Sequence, residues 1–225
     1  MITVTAFKWV PPFAQGQVRD HRVRWVLNEV GWPYEVRLLD SEDQRSEAYR
    51  AMQPFGQVPV LEEDGRPPMF ETGAIVLDVA LRSGKLLPAD ERLRGLALSY
   101  LFAALNSVEP FLMQLAIVEY FTKDEEEKAR RRPDALKMAR QRLGDLEHAV
   151  GDRRFLVGEE FTVADLMVAS VLKGPQAMGL LEEFPRLQAY QDRILERPAY
   201  RKAIADQCAA FAMHGPADMK YPART

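Results

Sequence analysis

Val58 and Pro59 are residues whose types and spacing could bind a ligand. Gly56 marks a turn just before them. Proline cannot donate to a sheet ladder, so Pro59 belongs at a strand's first residue, an edge or a bulge. Cis peptides are almost confined to proline, and a cis Val58–Pro59 bond would turn the N–H and C=O of Val58 outward. An extended peptide laid alongside could then pair with them.

Glu71 and Thr72 supply the second half of this candidate site, at the start of a predicted helix. The first N–H groups of a helix lack internal partners and carry the positive end of its dipole, so they bind carboxylates. The Thr72 hydroxyl adds a donor, and the Glu71 carboxylate suits an amine. A ligand with a carboxylate, an amine and an extended backbone would fit. The same residues are also consistent with a hairpin followed by a capped helix.

Hydrophobic periodicity predicts the elements that position these groups. Alternation indicates strands, and apolar residues at helical spacing indicate helices. The predicted order is strand 2–7, helix 19–30 closed by Gly31, strand 34–39, helix 41–52, strand 58–61, turn 63–66, return strand from 69–70, and a helix opened at 71–73. This β-α-β-α-β-β-α order predicts a thioredoxin-like domain over residues 1–83.

Beyond a linker at residues 84–92, the patterns predict helices only. Thr162 and Asp165 form a capping box before a buried helix, and Pro110 should kink or interrupt the first long helix. The predicted helical segments are 93–108, 111–121, 136–150 and the stretches after Thr162, Pro185 and Pro198, with residues 123–133 as a solvated charged face. We therefore expect an all-helical C-terminal domain over residues 90–211 and a tail at 212–225.

Composition excludes several classes of protein. Of 225 residues, 47% are hydrophobic and 28% charged, which is typical of a soluble globular protein, and a net charge of −3 gives no case for nucleic acid binding. No apolar run approaches the roughly 20 residues of a membrane span, and residues 1–8 lack signal-peptide features. The single cysteine and three scattered histidines favour a reducing cytoplasm and no metal site.

The motifs together resemble those of the cytosolic glutathione transferases of bacterial type. Gly56-Gln-Val-Pro-Val-Leu followed by Glu71-Thr-Gly-Ala-Ile looks like the glutathione-binding half of that family. A second, independent likeness is the Phe155-Leu-Val-Gly segment that precedes the capping box. The resemblance runs from Ile2 to about Phe211. It implies a homodimer in which the Thr72 helix of one subunit packs near the first C-terminal helices of the other.

The resemblance also implies roles for individual residues. Val58 would pair through its backbone with the cysteinyl part of glutathione, next to a cis bond to Pro59. Glu71 and Thr72 would hold the γ-glutamyl end, and Gln57 lies where the family often contacts the glycyl carboxylate. The expected glutathione-binding residues are Arg45, Gln53, Gln57, Val58, Pro59, Glu71 and Thr72. Glutathione would be the cosubstrate.

The thiolate-stabilising group departs from the family pattern. Thiolate is the reacting nucleophile, and a donor aimed at sulfur lowers its pKa. The family supplies Tyr, Ser or Cys near the first helix, whereas residues 9–28 contain no Ser, Thr, Tyr or Cys and Gln17 occupies the matching position. The candidates for catalysis are therefore Gln17, Arg19 and Trp9, together with the backbone N–H groups of residues 17–19.

The resemblance implies conjugation of glutathione to hydrophobic electrophiles, typical of detoxification. An apolar electrophile pocket is expected between the domains. It would be lined by Phe13, Phe102, Asn106 and Met113, with Trp9, Pro11, Leu105 and Glu109 as neighbours. One alternative is a non-catalytic binding protein of the same fold, because the usual hydroxyl is absent. Another is a glutathione-dependent isomerase, although its Ser-rich loop is missing.

Overall fold

A computed structural model describes residues 1–220. Within it the chain forms two compact units, one of Met1–Lys85 together with the residues from Arg197 onward, and one of Leu86–Glu196. The domain limits expected from sequence (1–83, 90–211 and a tail at 212–225) stay a prediction. The last five residues of that tail lie outside the described part.

The first unit is built on a three-stranded sheet. Its strands are β1 (Ile2–Phe7), β2 (Glu35–Leu39) and β3 (Leu61–Glu63), in the order β2-β1-β3. β1 pairs with β2 in parallel and with β3 antiparallel. The first two strands agree with the alternation in the sequence, and the parallel pair requires the crossover helix between them.

Four helices of the first unit follow in chain order. They are α1 (Asp20–Val30), α2 (Ser41–Arg45), α3 (Glu47–Met52) and α4 (Thr72–Ser83). Gly31 ends α1 in the left-handed region, with φ of 79°, as the sequence predicts. The single helix expected over residues 41–52 is two, because Asp40 caps α2 and Ser46 caps α3 with side-chain hydrogen bonds.

The predicted hairpin around residues 58–70 is shorter than expected. Its first strand begins only at Leu61, and its return strand is a single bridge between Leu61 and Met69. Proline explains both limits. Pro59 offers no N–H to extend the ladder on one side, and Pro67 and Pro68 offer none before Met69 on the other.

The second unit is helical, with no strand in residues 86–196. Its helices are α5 (Glu91–Ala103), α6 (Glu109–Phe121), α7 (Glu125–Val150), α8 (Val163–Val171), α9 (Lys173–Ala177) and α10 (Pro185–Leu195). The charged run and the helix predicted after it form one helix, α7, which continues through Pro133. Every residue of α8 is buried, and the predicted Thr162–Asp165 capping box is present.

A π-helical segment (Ala104–Val108) joins α5 to α6, immediately before Pro110. The interruption predicted for Pro110 is therefore a change of helical pitch. Within residues 1–220, only the stretch Glu91–Phe121 is long and apolar enough to cross a membrane, with mean hydropathy of 1.6 over 18 residues. In the structure, α5 packs against α8 and α6 packs against α7, and 33% of that window is buried.

A last helix, α11 (Pro198–Ala212), packs along α1 in the first unit. Trp25 and Tyr200 meet edge to face, with ring centroids 4.8 Å apart. Arg197 forms a bidentate ion pair with Glu29, at 2.6 and 2.7 Å. A 3₁₀ turn, Pro216–Met219, follows α11. These contacts make α11 part of the first unit, which local sequence patterns alone did not predict.

Candidate functional site

The segment around Val58 is fixed to β1 on both sides. Thr5 exchanges two hydrogen bonds with Val60, its N–H donating to the Val60 carbonyl at 2.9 Å and its Oγ1 accepting from the Val60 N–H at 2.7 Å. Tyr49 Oη donates to the Gln57 carbonyl at 2.7 Å and lies 3.0 Å from Thr5 Oγ1. The neighbours of Val58 are thus held in place by the sheet.

The backbone of Val58 itself is open. The Val58–Pro59 peptide is cis, as the sequence suggests. Within residues 1–220, neither the N–H nor the C=O of Val58 has a hydrogen-bond partner, although its side chain is buried. Unpaired backbone groups on a fixed extended segment are what strand addition by a peptide requires.

The short hairpin brings the two halves of the site together. Leu61 and Met69 exchange backbone hydrogen bonds of 2.8 and 2.9 Å. Three residues beyond this bridge the chain reaches Val58 on one side and Thr72 on the other. The Phe55 and Phe70 rings also meet edge to face, with centroids 6.3 Å apart. The unpaired backbone of Val58 and the start of α4 therefore lie on neighbouring segments of the chain, on either side of the bridge.

Glu71 adopts a conformation that L-residues rarely adopt, with φ of 68° and ψ of 113°. Its carbonyl accepts from the Ile75 N–H at 3.0 Å and so begins α4. Its carboxylate is exposed and has no hydrogen bond or ion pair within the described residues. Such a backbone costs about 1–3 kcal/mol, and such conformations cluster at functional sites. The carboxylate is held beside the helix start and remains open to a cationic group.

The N-terminus of α4 is uncapped and lies next to a buried cation. No side chain caps it, and the N–H groups of Thr72, Gly73 and Ala74 have no partner within residues 1–220. Arg22, only 3% exposed, donates from Nη1 to Thr72 Oγ1 at 3.4 Å. The hydroxyl accepts from Arg22 and keeps its own hydrogen available to donate to another acceptor. An anion at this point meets three N–H groups, a hydroxyl and a nearby positive charge.

The candidate catalytic residues lie in the loop between β1 and α1. The Gln17 N–H already donates to the Ala14 carbonyl at 2.9 Å, so the expectation that it serves a thiolate is wrong for this group. The N–H of Val18, one residue on, has no partner within the described residues. The Gln17 and Arg19 side chains are half-buried, and both make contacts in the structure. Their proposed role in catalysis stays a prediction.

Trp9 lies beneath the 3₁₀ turn that follows α11. Its backbone N–H donates to Met219 Sδ at 3.3 Å, and Met219 is only 2% exposed. Ser41 Oγ donates to the Lys220 carbonyl at 2.6 Å. The Lys220 ammonium lies 3.2 Å from Asp40 Oδ2. The predicted tail is therefore docked through residue 220, and its local sequence gave no reason to expect this contact.

Asp40 is the electrostatic centre of this docking. Lys8 lies 2.9 Å from its buried carboxylate, which also caps α2 through the N–H groups of Glu42 and Asp43. The hydrogen bond from Lys8, followed by that from the Asp43 backbone, holds the pKa of Asp40 well below its usual range. The carboxylate remains ionised, which favours both the helix start and the docked tail.

The other residues predicted to bind glutathione differ in availability. The side chain of Gln57 is exposed, and so is that of Arg45, whose Nη2 lies 3.4 Å from Ser41 Oγ. Gln53 is 2% exposed, and its Oε1 accepts from the Phe55 N–H at 2.7 Å. Gln53 thus shapes the turn before Val58. Its contact with glutathione stays a prediction.

The predicted electrophile-pocket residues are distributed over both units. In the first unit, Phe13 lies on a 3₁₀ turn and is 43% exposed. In the second, Phe102 and Met113 are 50% and 39% exposed, and Asn106 is exposed on the π-helical segment. Each side chain is available in its own unit, and their joint role stays a prediction.

Comparison with known proteins identifies the family. Residues 20–80 match the N-terminal domain of glutathione S-transferases and residues 111–206 match the C-terminal domain. Human glutathione S-transferase theta-2B is 30% identical over 176 residues, which span 73% of this chain and 71% of the human one. This chain belongs to the glutathione S-transferase family.

One further relative and one solved structure are similar to this chain over most of its length. Glutathione S-transferase hmp2 of Hypomyces subiculosus is 29% identical over 206 residues, covering 82% of this chain and 93% of its own. A glutathione transferase of Burkholderia graminis, crystallised with two glutathione molecules per subunit, superposes with a TM-score of 0.77 at 24% identity. The superposition covers 90% of this chain and 87% of that one.

The family assignment confirms the resemblance and the fold class read from sequence. The N-terminal unit is thioredoxin-like, and the unit after it is all-helical. Within residues 1–220, no group of three or more His, Cys, Asp or Glu side chains is arranged to hold a metal ion. Sequence reasoning assigned no role to Arg22, because its contact with Thr72 spans 50 residues. The one sequence feature that could have drawn attention to Arg22 was its position, as a charged residue beside the apolar positions of α1.

Proposed function

We propose that this chain is an active cytoplasmic glutathione transferase that conjugates glutathione to hydrophobic electrophiles. The observation that carries the proposal is the juxtaposition in the first unit of three open groups with different chemistry. They are the unpaired backbone of Val58, the exposed carboxylate of Glu71 and the uncapped start of α4 at Thr72. An extended peptide with an amine and a carboxylate at one end matches all three.

Glutathione would be held mainly by its backbone and its charged ends. Its cysteinyl N–H and C=O pair with the backbone of Val58 as an added strand. Its γ-glutamyl carboxylate accepts from Thr72 and the first N–H groups of α4, with Arg22 behind the hydroxyl. Its amine pairs with the Glu71 carboxylate, and its glycyl carboxylate lies within reach of Gln57.

The thiol would then point toward the loop that precedes α1. Donors and positive charge near sulfur favour the thiolate, which is the nucleophile in conjugation. This loop offers the Gln17 amide, the Arg19 guanidinium, the Trp9 indole and the unpaired N–H of Val18. A backbone N–H at the start of a helix combines a hydrogen bond with the helix dipole. These groups take the place of the hydroxyl that residues 9–28 lack.

The lack of a hydroxyl or thiol side chain in residues 9–28 also favours a second candidate function. Without Ser, Thr, Tyr or Cys in the loop, the chain could bind glutathione and apolar ligands without turning them over. Binding would still need Val58, Glu71 and Thr72. The two functions differ only in the pKa of the bound thiol and in turnover.

We further infer that the chain forms a homodimer. α6 buries Leu112, Leu115 and Val118 on one side and exposes Met113, Ile117 and Phe121, at helical spacing, on the other. In α4, Leu81 is 61% exposed. Apolar faces of this kind mark interaction surfaces.

One experiment separates the two functions. Calorimetric titration with glutathione is followed by thiolate absorbance of the complex across pH, and by turnover of an aromatic halide. We expect binding, a depressed thiol pKa and conjugation. Binding with an unshifted thiol and no turnover would establish the non-catalytic function, and no binding at all would refute both.

Two variants then locate the thiolate donor. Gln17→Ala and Arg19→Ala should each raise the thiol pKa of the complex if the side chain stabilises sulfur, while glutathione affinity changes little. If neither variant moves the thiolate titration, these two side chains are excluded, and the Trp9 indole and the Val18 N–H remain as candidate donors. A substitution of Val18 by proline, which removes that N–H, tests it directly.

A further inference from the structure

One side chain of α11, Gln207, reaches the loop that carries the candidate thiolate donors. Gln207 is only 1% exposed, and its Nε2 donates to the Val18 carbonyl at 2.9 Å and to Asp20 Oδ1 at 2.5 Å. Both partners are acceptors, so only the NH₂ end of the amide can face them. The next residue, Cys208, lies beside Gly16, since a Cβ atom on that glycine would be 4.0 Å from Cys208 Sγ. Two successive residues of α11 therefore contact the loop.

Hydrogen bonds fix the backbone on both sides of the Val18 N–H. The Gln17 N–H donates to the Ala14 carbonyl at 2.9 Å, which holds the peptide unit before Gln17. The Val18 carbonyl accepts from the His21 N–H at 3.1 Å and from Gln207, and His21 Nδ1 lies 2.9 Å from it, which holds the peptide unit after Val18. Peptide units are planar, so the unit between these two has little freedom to rotate. That unit carries the open N–H of Val18, and its direction is thereby set.

Val18 also lies next to the residue proposed to hold the cysteinyl part of glutathione. Its side chain packs against a buried cluster of apolar residues, formed by Leu39, Tyr49, Val58 and Val60. Val58 is the residue whose open backbone would pair with the cysteinyl N–H and C=O. Because the sulfur is only two bonds from the cysteinyl Cα, a donor on Val18 is close to the place where the sulfur would lie.

Asp20 anchors the Gln207 amide to α1. The Asp20 carboxylate is buried, and its Oδ2 accepts from Nε of the buried Arg24 at 2.7 Å. This ion pair lies within α1, so the carboxylate is held firmly when its other oxygen accepts from Gln207. The contacts of His21 with the Val18 carbonyl are local to the start of α1. The hydrogen bond from Gln207 spans 189 residues and ties the same carbonyl to α11.

We propose that Gln207 is a positioning residue that directs the Val18 N–H toward the sulfur of bound glutathione. The inference rests on the proposed transferase function, because it concerns the thiolate of that site. Gln207 acts through the Val18 carbonyl and not by touching glutathione. A donor that is already in place when negative charge develops on sulfur stabilises the thiolate without reorganisation. Loss of the Gln207 amide leaves the carbonyl with local contacts only, and the N–H can then turn away from the sulfur.

The test is the variant Gln207→Met, which keeps the size of the side chain and removes both hydrogen bonds. Thiolate absorbance of the glutathione complex across pH should give a thiol pKa higher by about one, since a hydrogen bond to the charged form lowers a pKa. At a pH below both pKa values, kcat for an aromatic halide should fall by about tenfold, while the KM for glutathione changes little. The rates of the variant and the unmodified chain should converge at high pH, where both thiols are ionised. A general loss of structure would not produce this pH dependence.

Gln191→Met is the matched control. Gln191 is fully buried on α10 of the second unit and donates from Nε2 to the Ala169 carbonyl at 3.2 Å. Within residues 1–220, the Oε1 atoms of Gln191 and Gln207 both lack a hydrogen-bond partner. The two variants thus remove the same group from equally buried positions, yet only Gln207→Met should raise the thiol pKa. Circular dichroism verifies the folds, and Gln207→Asn, whose shorter side chain cannot reach both acceptors, replaces Gln207→Met if that variant does not fold.

A double variant separates positioning from an indirect effect. In a chain that carries Val18→Pro the N–H is already absent, so Gln207→Met should change the thiol pKa no further. The proposal is overturned if Gln207→Met leaves a depressed thiol pKa unchanged, if Gln191→Met raises it equally, or if Gln207→Met keeps its full effect in the Val18→Pro chain. Each of these three results leaves the proposed transferase function standing. An ordinary thiol pKa in the unmodified chain would instead refute both the catalytic function and this inference.

Discussion

The Thr72 hydroxyl lies between a buried guanidinium and the open end of a helix. A hydroxyl that accepts from Arg22 at 3.4 Å has its hydrogen free to donate, and the first three N–H groups of α4 converge nearby. The sequence indicated Thr72 and Glu71 by their place at a helix start. It did not indicate Arg22, because that contact depends on how α1 packs on α4.

At this scale we predict that the hydroxyl of residue 72 contributes directly to glutathione affinity. Thr72→Val keeps the shape and removes the donor, so glutathione binding should weaken by about tenfold or more, whereas Thr72→Ser should bind nearly normally. Isothermal titration measures both. Equal affinities for the two variants would remove Thr72 from the site, and urea unfolding checks that neither loses the fold.

At the scale of elements, the start of α8 shows how far a local capping pattern predicts a structure. Asp165 receives four hydrogen bonds. Its Oδ1 accepts from the Leu156 N–H and the Tyr190 hydroxyl, and its Oδ2 accepts from the N–H and hydroxyl of Thr162. The Thr-x-x-Asp spacing predicted the Thr162 contacts, since they are local. The contacts with Leu156 and Tyr190 needed the packing of α8 against its neighbours.

We predict that Asp165→Asn strongly destabilises the protein. In asparagine an NH₂ group replaces one of the two carboxylate oxygens, and the two donors that this oxygen accepts from lose their acceptor. The free energy of unfolding should therefore fall by about 3 kcal/mol or more. Asp145→Asn is the control, because Asp145 is exposed on α7 and, within residues 1–220, pairs only with Arg142. Its effect should lie within about 0.5 kcal/mol. Urea unfolding followed by circular dichroism compares them, and equal midpoints would refute the assignment.

For the whole molecule, the exposed apolar side of α6 is the feature that the single chain leaves unexplained. Met113, Ile117 and Phe121 recur every four residues, opposite the buried stripe. Symmetric dimers use the same surface on both subunits. The proposed homodimer would cover this side of α6 and the exposed Leu81 of α4.

We therefore predict a dimer in sedimentation velocity at micromolar concentration. Ile117→Glu should shift it to monomer by placing a charge in the interface, and Leu81→Glu should act in the same direction. Ala129→Glu adds the same charge to the exposed side of α7 and should leave the dimer intact. A monomeric unmodified chain would refute the homodimer, and dimeric Ile117→Glu would refute the interface.

The sequence by itself determined the features that depend on neighbouring residues. Alternation in residues 2–7, the left-handed Gly31, the Val58–Pro59 pair and the Thr162 cap are local, because each acts within a few residues. Only the tertiary structure decided the features set by distant contacts. These include the contact of Arg22 with Thr72, the docking of Met219 on Trp9 and the hydrogen bond from Gln207 to Val18. Each joins segments that pack only once the chain has folded, and local periodicity carries no information about such packing.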